Sequence, residues 1–422
     1  MIVELINTGS ELMLGRVLNT HQQWLCRRLA DLGYVVSRQV AIPDAGPDIE
    51  QAVREALSRA DLVITTGGLG PTSDDLTRDL IAKLLGKPLK EDASVVAHIQ
   101  QFFEARKRPM PERTRVQALV PEGGRVFPNP HGTAPGLALE VRPNPFKADG
   151  RPAWLIMLPG PPRELRPMFD ASVQPLLKEA LPLENGFVCR TLRTSGIGES
   201  VVEEKISGLL QPLVNEGLEI GYCARPGEVD VRLSATSPNA ETVVSKAEEI
   251  VRRELGAWLF GSESDELENI IVQRLAERKQ TLVLAESCTG GFVAHRITNV
   301  PGASVVLLAG LVTYSNESKQ RLLGVSAETL VAHGAVSQPV AREMAEGALK
   351  VVRADFAISV TGIAGPGGGT QEKPVGTVFI GLAGPFPTMV VHHYNPYDRE
   401  TFKQVSAQQA LELLRRKLGK ME

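Results

Sequence analysis

A chain of 422 residues is long enough for two or three domains, each with its own core. Apolar residues make up 43% and charged residues 23%, and the formal net charge is −3, so no general attraction to nucleic acid or an anionic membrane is expected and small molecules are the expected partners. Cys26, Cys189, Cys223 and Cys288 are scattered with no C-x-x-C pair, and neither a basic-then-apolar leader nor a membrane-length apolar run occurs, which together lead to the expectation of a soluble cytoplasmic protein without a disulfide framework or zinc ribbon.

In chain order, a strand over residues 2–7 is followed by a loop through Gly9 and Gly15 and a helix around 20–32, which Gly33 closes. A strand at 34–40, a helix at 49–60 and the apolar run Leu62-Val63-Ile64-Thr65-Thr66 come next. Behind that run, Gly67-Gly68-Leu69-Gly70-Pro71-Thr72-Ser73-Asp74-Asp75 leads into a helix with Leu76, Leu80, Ile81, Leu84 and Leu85 at helical spacing. Strands alternating with helices imply a mostly parallel sheet covered on both faces, with ligands gathering at the carboxyl ends of its strands. Three polar clusters fall there: Thr8-Gly9-Ser10-Glu11, Pro43-Asp44 and the glycine loop.

A helix at 94–106, strands at 137–141 and 154–158, and an exposed hairpin tip at 143–152 follow. His131, between two prolines and a glycine, reads as a turn residue. Residues 171–186 read as a boundary. Residues 187–255 read as strand, helix, strand, strand, helix; with 8 Lys/Arg against 11 Asp/Glu and no clear G-x-x-G clamp, this module is expected to be a spacer or dimerisation element and not an RNA binder. After a linker at 261–267, where Ser264 or Asp265 is the expected helix cap, α/β alternation resumes. Its strands are expected at 281–285, 304–313, 356–360, 376–382 and 389–394, and its helices at 267–278, 292–298, 319–323, 339–352 and 399–418. The fold class is therefore α/β, with two three-layer α/β/α domains joined by a small α+β module.

The glycine loop lacks the lysine of a Walker loop, and from Gly68 and Gly70 the third position of a dinucleotide fingerprint is Ser73. Its bare backbone N–H groups suit a phosphate, and its two carboxylates suit a hard divalent cation. In the last domain, Ala285-Glu286-Ser287-Cys288-Thr289-Gly290-Gly291 turns from a strand into a helix, where helix N–H donors could hold an oxyanion beside a serine nucleophile. The run Tyr314-Ser315-Asn316-Glu317-Ser318-Lys319 supplies a lysine, a known alternative to a histidine base. Thr361-Gly362-Ile363-Ala364-Gly365-Pro366 and Arg399 complete the cluster, the arginine suited to a phosphate. Cys288 is a weaker candidate nucleophile, and His392 and His393 fall on a strand as structural residues.

The loop 66–77, with Gly9-Ser10-Glu11-Leu12, Asn19-Thr20, Asn129, Gly132-Thr133-Ala134-Pro135-Gly136 and Leu158-Pro159-Gly160-Pro161-Pro162-Arg163-Glu164, resembles the CinA (competence/damage-inducible) family, whose N-terminal domain is related to molybdopterin-binding proteins of the MogA/MoaB type. The clusters around Ser287, Lys319, Thr361 and Arg399 resemble its nicotinamide mononucleotide deamidase domain. The resemblance implies a pyrophosphatase domain at 1–172, a linker or dimerisation module at 173–260 and a deamidase domain at 266–422. It implies Ser287 as nucleophile and Lys319 as base, with Thr361, Tyr314, Asn316, Gly290, Gly362, Gly365 and Arg399 around the substrate and no cofactor there. For the N-terminal domain it implies cleavage of ADP-ribose to AMP and ribose 5-phosphate with Mg, Co or Mn. The residues would be Asp74 and Asp75 on the metal, Asp75 also catalytic, and Gly67, Gly68, Gly70, Thr72 and Asp44 on the substrate. Leu69 stands where the molybdopterin relatives carry threonine, and Lys403 where the family often has a further arginine. The expected partners are nicotinamide mononucleotide, ADP-ribose and a second copy of the chain. A molybdopterin- or nucleotide-binding module without turnover, or a competence-related interaction protein, is the alternative.

Overall fold

The computed structural model describes residues 1–183 and 186–419. Residues 184–185 of the expected boundary and 420–422 of the expected last domain lie outside the described residues. The chain forms two units, Met1–Phe187 and Val188–Glu422.

The first unit is built on β1 (Val3–Thr8), β2 (Val36–Ile42) and β3 (Leu62–Thr66), followed by the short pair β4 (Leu89–Glu91) and β5 (Leu119–Pro121), then β6 (Arg125–Phe127), β7 (Gly136–Val141) and β8 (Ala153–Leu158). The main sheet runs β2-β1-β3-β8-β7-β6, parallel through β8 and antiparallel beyond it. Strands β1, β3 and β8 are buried along their whole length, as strands covered on both faces must be. One face packs on Leu25, Leu29, Phe169, Val173 and Leu177, the other on Ile49, Val53, Leu57 and Ile81. Glu4, the polar interruption of β1, is buried and held by both guanidinium nitrogens of Arg59 at 2.5 and 2.9 Å.

Two sequence expectations change here. The stretch from 171 is no boundary as far as Ala180: helix Pro162–Met168 passes through a π turn, Phe169–Val173, into helix Gln174–Ala180. Pro162 and Pro175 sit in first turns, Pro167 lies inside its helix, and the apolar residues still reach the core, so the first unit runs beyond 172. The tip at 143–152 is not freely exposed either. Asn144 donates to the Leu57 carbonyl at 2.8 Å, and Lys147 reaches Asp61 at 2.7 Å; both are buried.

The second unit holds two sheets. β9 (Phe187–Ser195), β10 (Leu218–Arg225), β11 (Glu228–Thr236) and β12 (Leu259–Ser262) form β10-β11-β9-β12, with helices Glu199–Asn215 and Ala240–Leu255 sharing its core. The cap at 264–265 is not formed: Asp265 turns back to accept from Ser262 N at 2.9 Å, and Glu266 stands at the head of helix Leu267–Glu277. The last sheet, from β13 (Leu282–Glu286), β14 (Leu307–Val312), β15 (Phe356–Gly362), β16 (Thr377–Gly384) and β17 (Phe386–Tyr394), runs β14-β13-β15-β16-β17. It is parallel across its first three strands and antiparallel after them. An additional helix, Ala327–His333, lies between the expected helices at 319–323 and 339–352, capped by Ser326 Oγ on Thr329 N. β14 is shorter than expected because Ala303–Val305 coils into a 3-10 turn. Among the described residues no helix is long and apolar enough to cross a membrane.

Helix Asn316–Leu323 lies against helix Gln338–Val352 at Gly347, where an added Cβ would fall 1.8 Å from the Leu323 carbonyl oxygen. Gly208, in helix Glu199–Asn215, faces open space. Gly347→Ala is expected to cost about 1–3 kcal/mol from overpacking, whereas Gly208→Ala should be neutral or stabilising by about 0.5–1 kcal/mol. Chemical denaturation of the two variants checks this.

Candidate functional site

In each large sheet the first strand lies between its two successors, β1 between β2 and β3, and β13 between β14 and β15. The chain leaves the central strand in opposite directions, which opens a crevice beyond the strands' carboxyl ends.

In the first unit that crevice is a cleft of about 410 Å³ whose walls include Thr8, Gly9, Asp44, Gly67, Gly68, Gly70, Asp74, Asp75, Gln117 and Glu164. The glycines are required by sterics: Gly67 and Gly68 have φ of +96° and +68°, and a Cβ at Gly68 would meet Thr77 Oγ1 at 2.0 Å. Asp75 braces the loop, accepting from the Thr72 N–H at 2.8 Å and the Thr72 hydroxyl at 2.5 Å. Asp44 accepts from Ser10 N at 2.9 Å, tying the loop after β1 to the end of β2. Asp74 is exposed at the rim. Leu69 turns inward and packs in the core, so its difference from threonine removes a hydroxyl from this loop. Among the described residues no three His, Cys, Asp or Glu side chains gather closely enough to hold a metal ion by themselves. His131 is an exposed turn residue whose N–H is held by Asn129.

In the second unit, Ser287 directly follows β13 and its N–H donates to the Val360 carbonyl of β15. Lys319 comes from helix Asn316–Leu323 and is almost wholly buried. Its Nζ lies 3.0 Å from Ser287 Oγ, 2.8 Å from the Thr313 carbonyl oxygen and 3.3 Å from that of Tyr314. Burial lowers its pKa from the ordinary 10.5. A neutral amine has two hydrogens and one lone pair. Two carbonyls accept the hydrogens, so the lone pair is left for the serine hydroxyl. Cys288 is unsuited to the nucleophile's role, because burial pushes its thiol up to about 12 and leaves almost no thiolate.

The helix N–H donors expected to serve an oxyanion are already taken. Glu286, buried at the end of β13, accepts from Gly291 N and Val293 N at 3.0 and 3.1 Å and from Ala294 N at 2.8 Å. It is a cap placed on the helix by the preceding strand, and the only signal for it was an acid within the quoted motif. Thr361 is brought to the end of β15, but its hydroxyl donates to the Ala335 carbonyl at 2.9 Å. Gly362 packs tightly, with an added Cβ 2.8 Å from the Thr377 carbonyl oxygen. Arg399 joins two loops to the head of the last helix: it donates to the Gly365 carbonyl at 2.9 Å and to the Tyr314 hydroxyl at 2.8 Å. Gly290, with φ of +62°, donates its N–H to Ser287 O and closes the serine turn. Asn316 opens the lysine helix and is exposed. Beside Arg399, a pocket of about 430 Å³ is lined by Phe292, Glu400, Lys403 and Gln404, which brings Lys403 next to the arginine. His392 stacks on Phe379, their ring centroids 4.7 Å apart.

Comparison with known proteins matches residues 4–179 to a family described as "Probable molybdopterin binding domain", 189–261 to "Damage-inducible protein CinA KH domain", and 264–418 to "CinA C-terminal domain". The middle match places the module read as a spacer or dimerisation element in a family described as a KH domain, although no clear helix-to-helix G-x-x-G clamp stands in this sequence. A "CinA-like protein" of Akkermansia muciniphila is 45% identical over 97% of this chain and 95% of its own. A chain of Symbiobacterium thermophilum named for competence-damage induction is 45% identical over 99% of both. The crystal structure of competence/damage inducible protein CihA from Agrobacterium tumefaciens is 43% identical, covering 35% of this chain and 91% of its own with a TM-score of 0.34.

Glu286→Ala should leave three helix-start amides without their acceptor and cost about 1–3 kcal/mol, while Glu286→Gln retains part of the cap. Hydrogen exchange at Gly291, Val293 and Ala294, faster in the alanine variant, checks the assignment.

Proposed function

The chain belongs to the CinA family, and on that premise we propose that it is a two-site nucleotide hydrolase: a deamidase of nicotinamide mononucleotide at Ser287 and an ADP-ribose pyrophosphatase at the glycine-loop cleft. The observation that carries the first half is Lys319 Nζ at 3.0 Å from Ser287 Oγ, with two carbonyls on its remaining side. Ser287 Oγ attacks the carboxamide carbon while Lys319 takes the hydroxyl proton, and the carbonyl π pair moves onto oxygen. Collapse of that adduct breaks the C–N bond, Lys319 returns the proton to the leaving nitrogen, and ammonia departs. Water then attacks the seryl ester with Lys319 again as base, releasing nicotinate mononucleotide and restoring the serine. Two of Arg399's N–H groups are engaged, and those that remain suit the substrate's phosphate.

For the N-terminal half, the donor set fits a hard divalent cation. Asp44, Asp74, Asp75, Glu11 and Glu164 offer only oxygen to the cleft, and Mg²⁺ is commonly held through one or two carboxylates together with the substrate's phosphates instead of an all-protein cage. Asp74 and Asp75 would hold it, and when bound it would neutralise the diphosphate charge. The chain's own part is to present the backbone of Gly67, Gly68 and Gly70 to the phosphates and to keep that loop rigid through Asp75 and Thr72. A second reading, a nucleotide- or molybdopterin-binding module without turnover, is supported by the match of residues 4–179 to the family described as a probable molybdopterin binding domain.

Ser287→Ala should lower ammonia release from nicotinamide mononucleotide by roughly 10⁴-fold or more while leaving ADP-ribose cleavage intact; an unchanged deamidase rate removes Ser287 from the mechanism. Lys319 must be neutral to act. The deamidase rate should therefore rise with pH through a single inflection lying below the ordinary lysine value of 10.5, and Lys319→Met should abolish that limb. At the other site, Asp75→Asn is expected to reduce metal-supplied ADP-ribose cleavage by about 10²-fold or more. Binding without any turnover in the parent protein would favour the second reading.

A further inference from the structure

Gln117 lies in the 3-10 segment Glu112–Ala118, far from every motif that drew attention in the sequence, yet it forms part of the wall of the glycine-loop cleft. Its side chain is 2% exposed. Nε2 donates to the Leu69 carbonyl at 3.4 Å, a long bond, and Oε1 has no partner among the described residues. A buried acceptor left without a donor is unusual in a folded protein and calls for a ligand or a water. The other side-chain groups offered by the cleft are mainly carboxylates, namely Glu11, Asp44, Asp74, Asp75 and Glu164. Gln117 alone offers an uncharged carboxamide there.

We infer that Gln117 is a specificity-determining residue of this cleft, whose Oε1 accepts a hydrogen bond from a neutral donor on the nucleoside part of the ligand. The inference rests on the reading of the cleft as an ADP-ribose site. Phosphate oxygens only accept, so they cannot satisfy Oε1. The neutral donors of ADP-ribose are the amine of its base and the hydroxyls of its riboses. Its nitrogen is held at the glycine loop by the Leu69 carbonyl, so a ligand donor that reaches Oε1 from the cleft meets a carboxamide already tied to that loop. Gln117 thereby links recognition of the nucleoside to the position of the loop that meets the phosphates.

The test is equilibrium binding by calorimetry, with metal supplied, of full-length parent protein and Gln117→Met to ADP-ribose, to its hypoxanthine analogue lacking the base amine, and to its 2′,3′-dideoxy analogue in the adenosine ribose. The parent should bind one analogue about tenfold more weakly than ADP-ribose, which identifies the donor. In Gln117→Met, ADP-ribose itself should weaken about tenfold and the preference against that analogue should vanish. ADP-ribose cleavage by the variant should show a raised KM with kcat much less affected. Parent protein that binds all three alike overturns the assignment without recourse to any variant, as does a well-folded Gln117→Met that keeps the parent's preference. Parent protein that neither binds nor cleaves ADP-ribose overturns the reading of the cleft, and this assignment with it.

Discussion

A lysine nitrogen withdrawn from water is the constraint around which the C-terminal domain is arranged. Burying an ammonium is costly unless its hydrogens are met and its charge is lost. Here Thr313 and Tyr314, the residues just after β14, present their carbonyls to it, and Ser287 at the end of the neighbouring strand supplies the remaining contact. Each partner comes from a strand end, so the amine is held by the sheet and not by a long loop. The position of helix Asn316–Leu323 is set in turn by its approach to Gly347, which admits no side chain.

The two large domains reach their sites by the same route. A central strand with a successor on each side forces two loops to diverge, and the space between them is open to a ligand. What fills that space differs. In the first unit glycines bare the backbone and carboxylates line the walls, which favours a phosphate with a cation. In the second the turn after β13 carries a serine, and a carboxylate from the same strand, Glu286, satisfies the helix start before any ligand arrives. One architecture thus presents two kinds of surface at its strand ends, depending on whether the backbone donors are left open or already bound.

Much of this was legible in the sequence because period and punctuation agree. Fully apolar strands, helical spacing of leucines and glycine stops located the sheets, and Ser287 and Lys319 stood in quotable runs at strand ends. The failures have common physical causes. Helix Pro162–Met168 and its continuation are hard to see because prolines dilute the helical period, yet two of the three fall in first turns, where no helical N–H is lost. Asn144 and Lys147 looked like tip residues because polarity suggests solvent, whereas both are anchored to the body by specific partners. Glu286 and Gln117 were not given roles because their meaning is three-dimensional. An acid before a turn does not announce which amides it will meet, and a glutamine in a short 3-10 segment has no spacing rule at all.

Arg399 ties the segments after β14 and β15 to the head of the last helix before any substrate arrives. The conformational freedom that two loops and a helix start would otherwise surrender on binding has therefore been given up during folding, and an incoming anion meets a guanidinium whose direction is already fixed. Affinity at such a site comes less from forming new order than from not having to create it. Association should accordingly be less opposed by entropy than at a pocket that closes around its ligand.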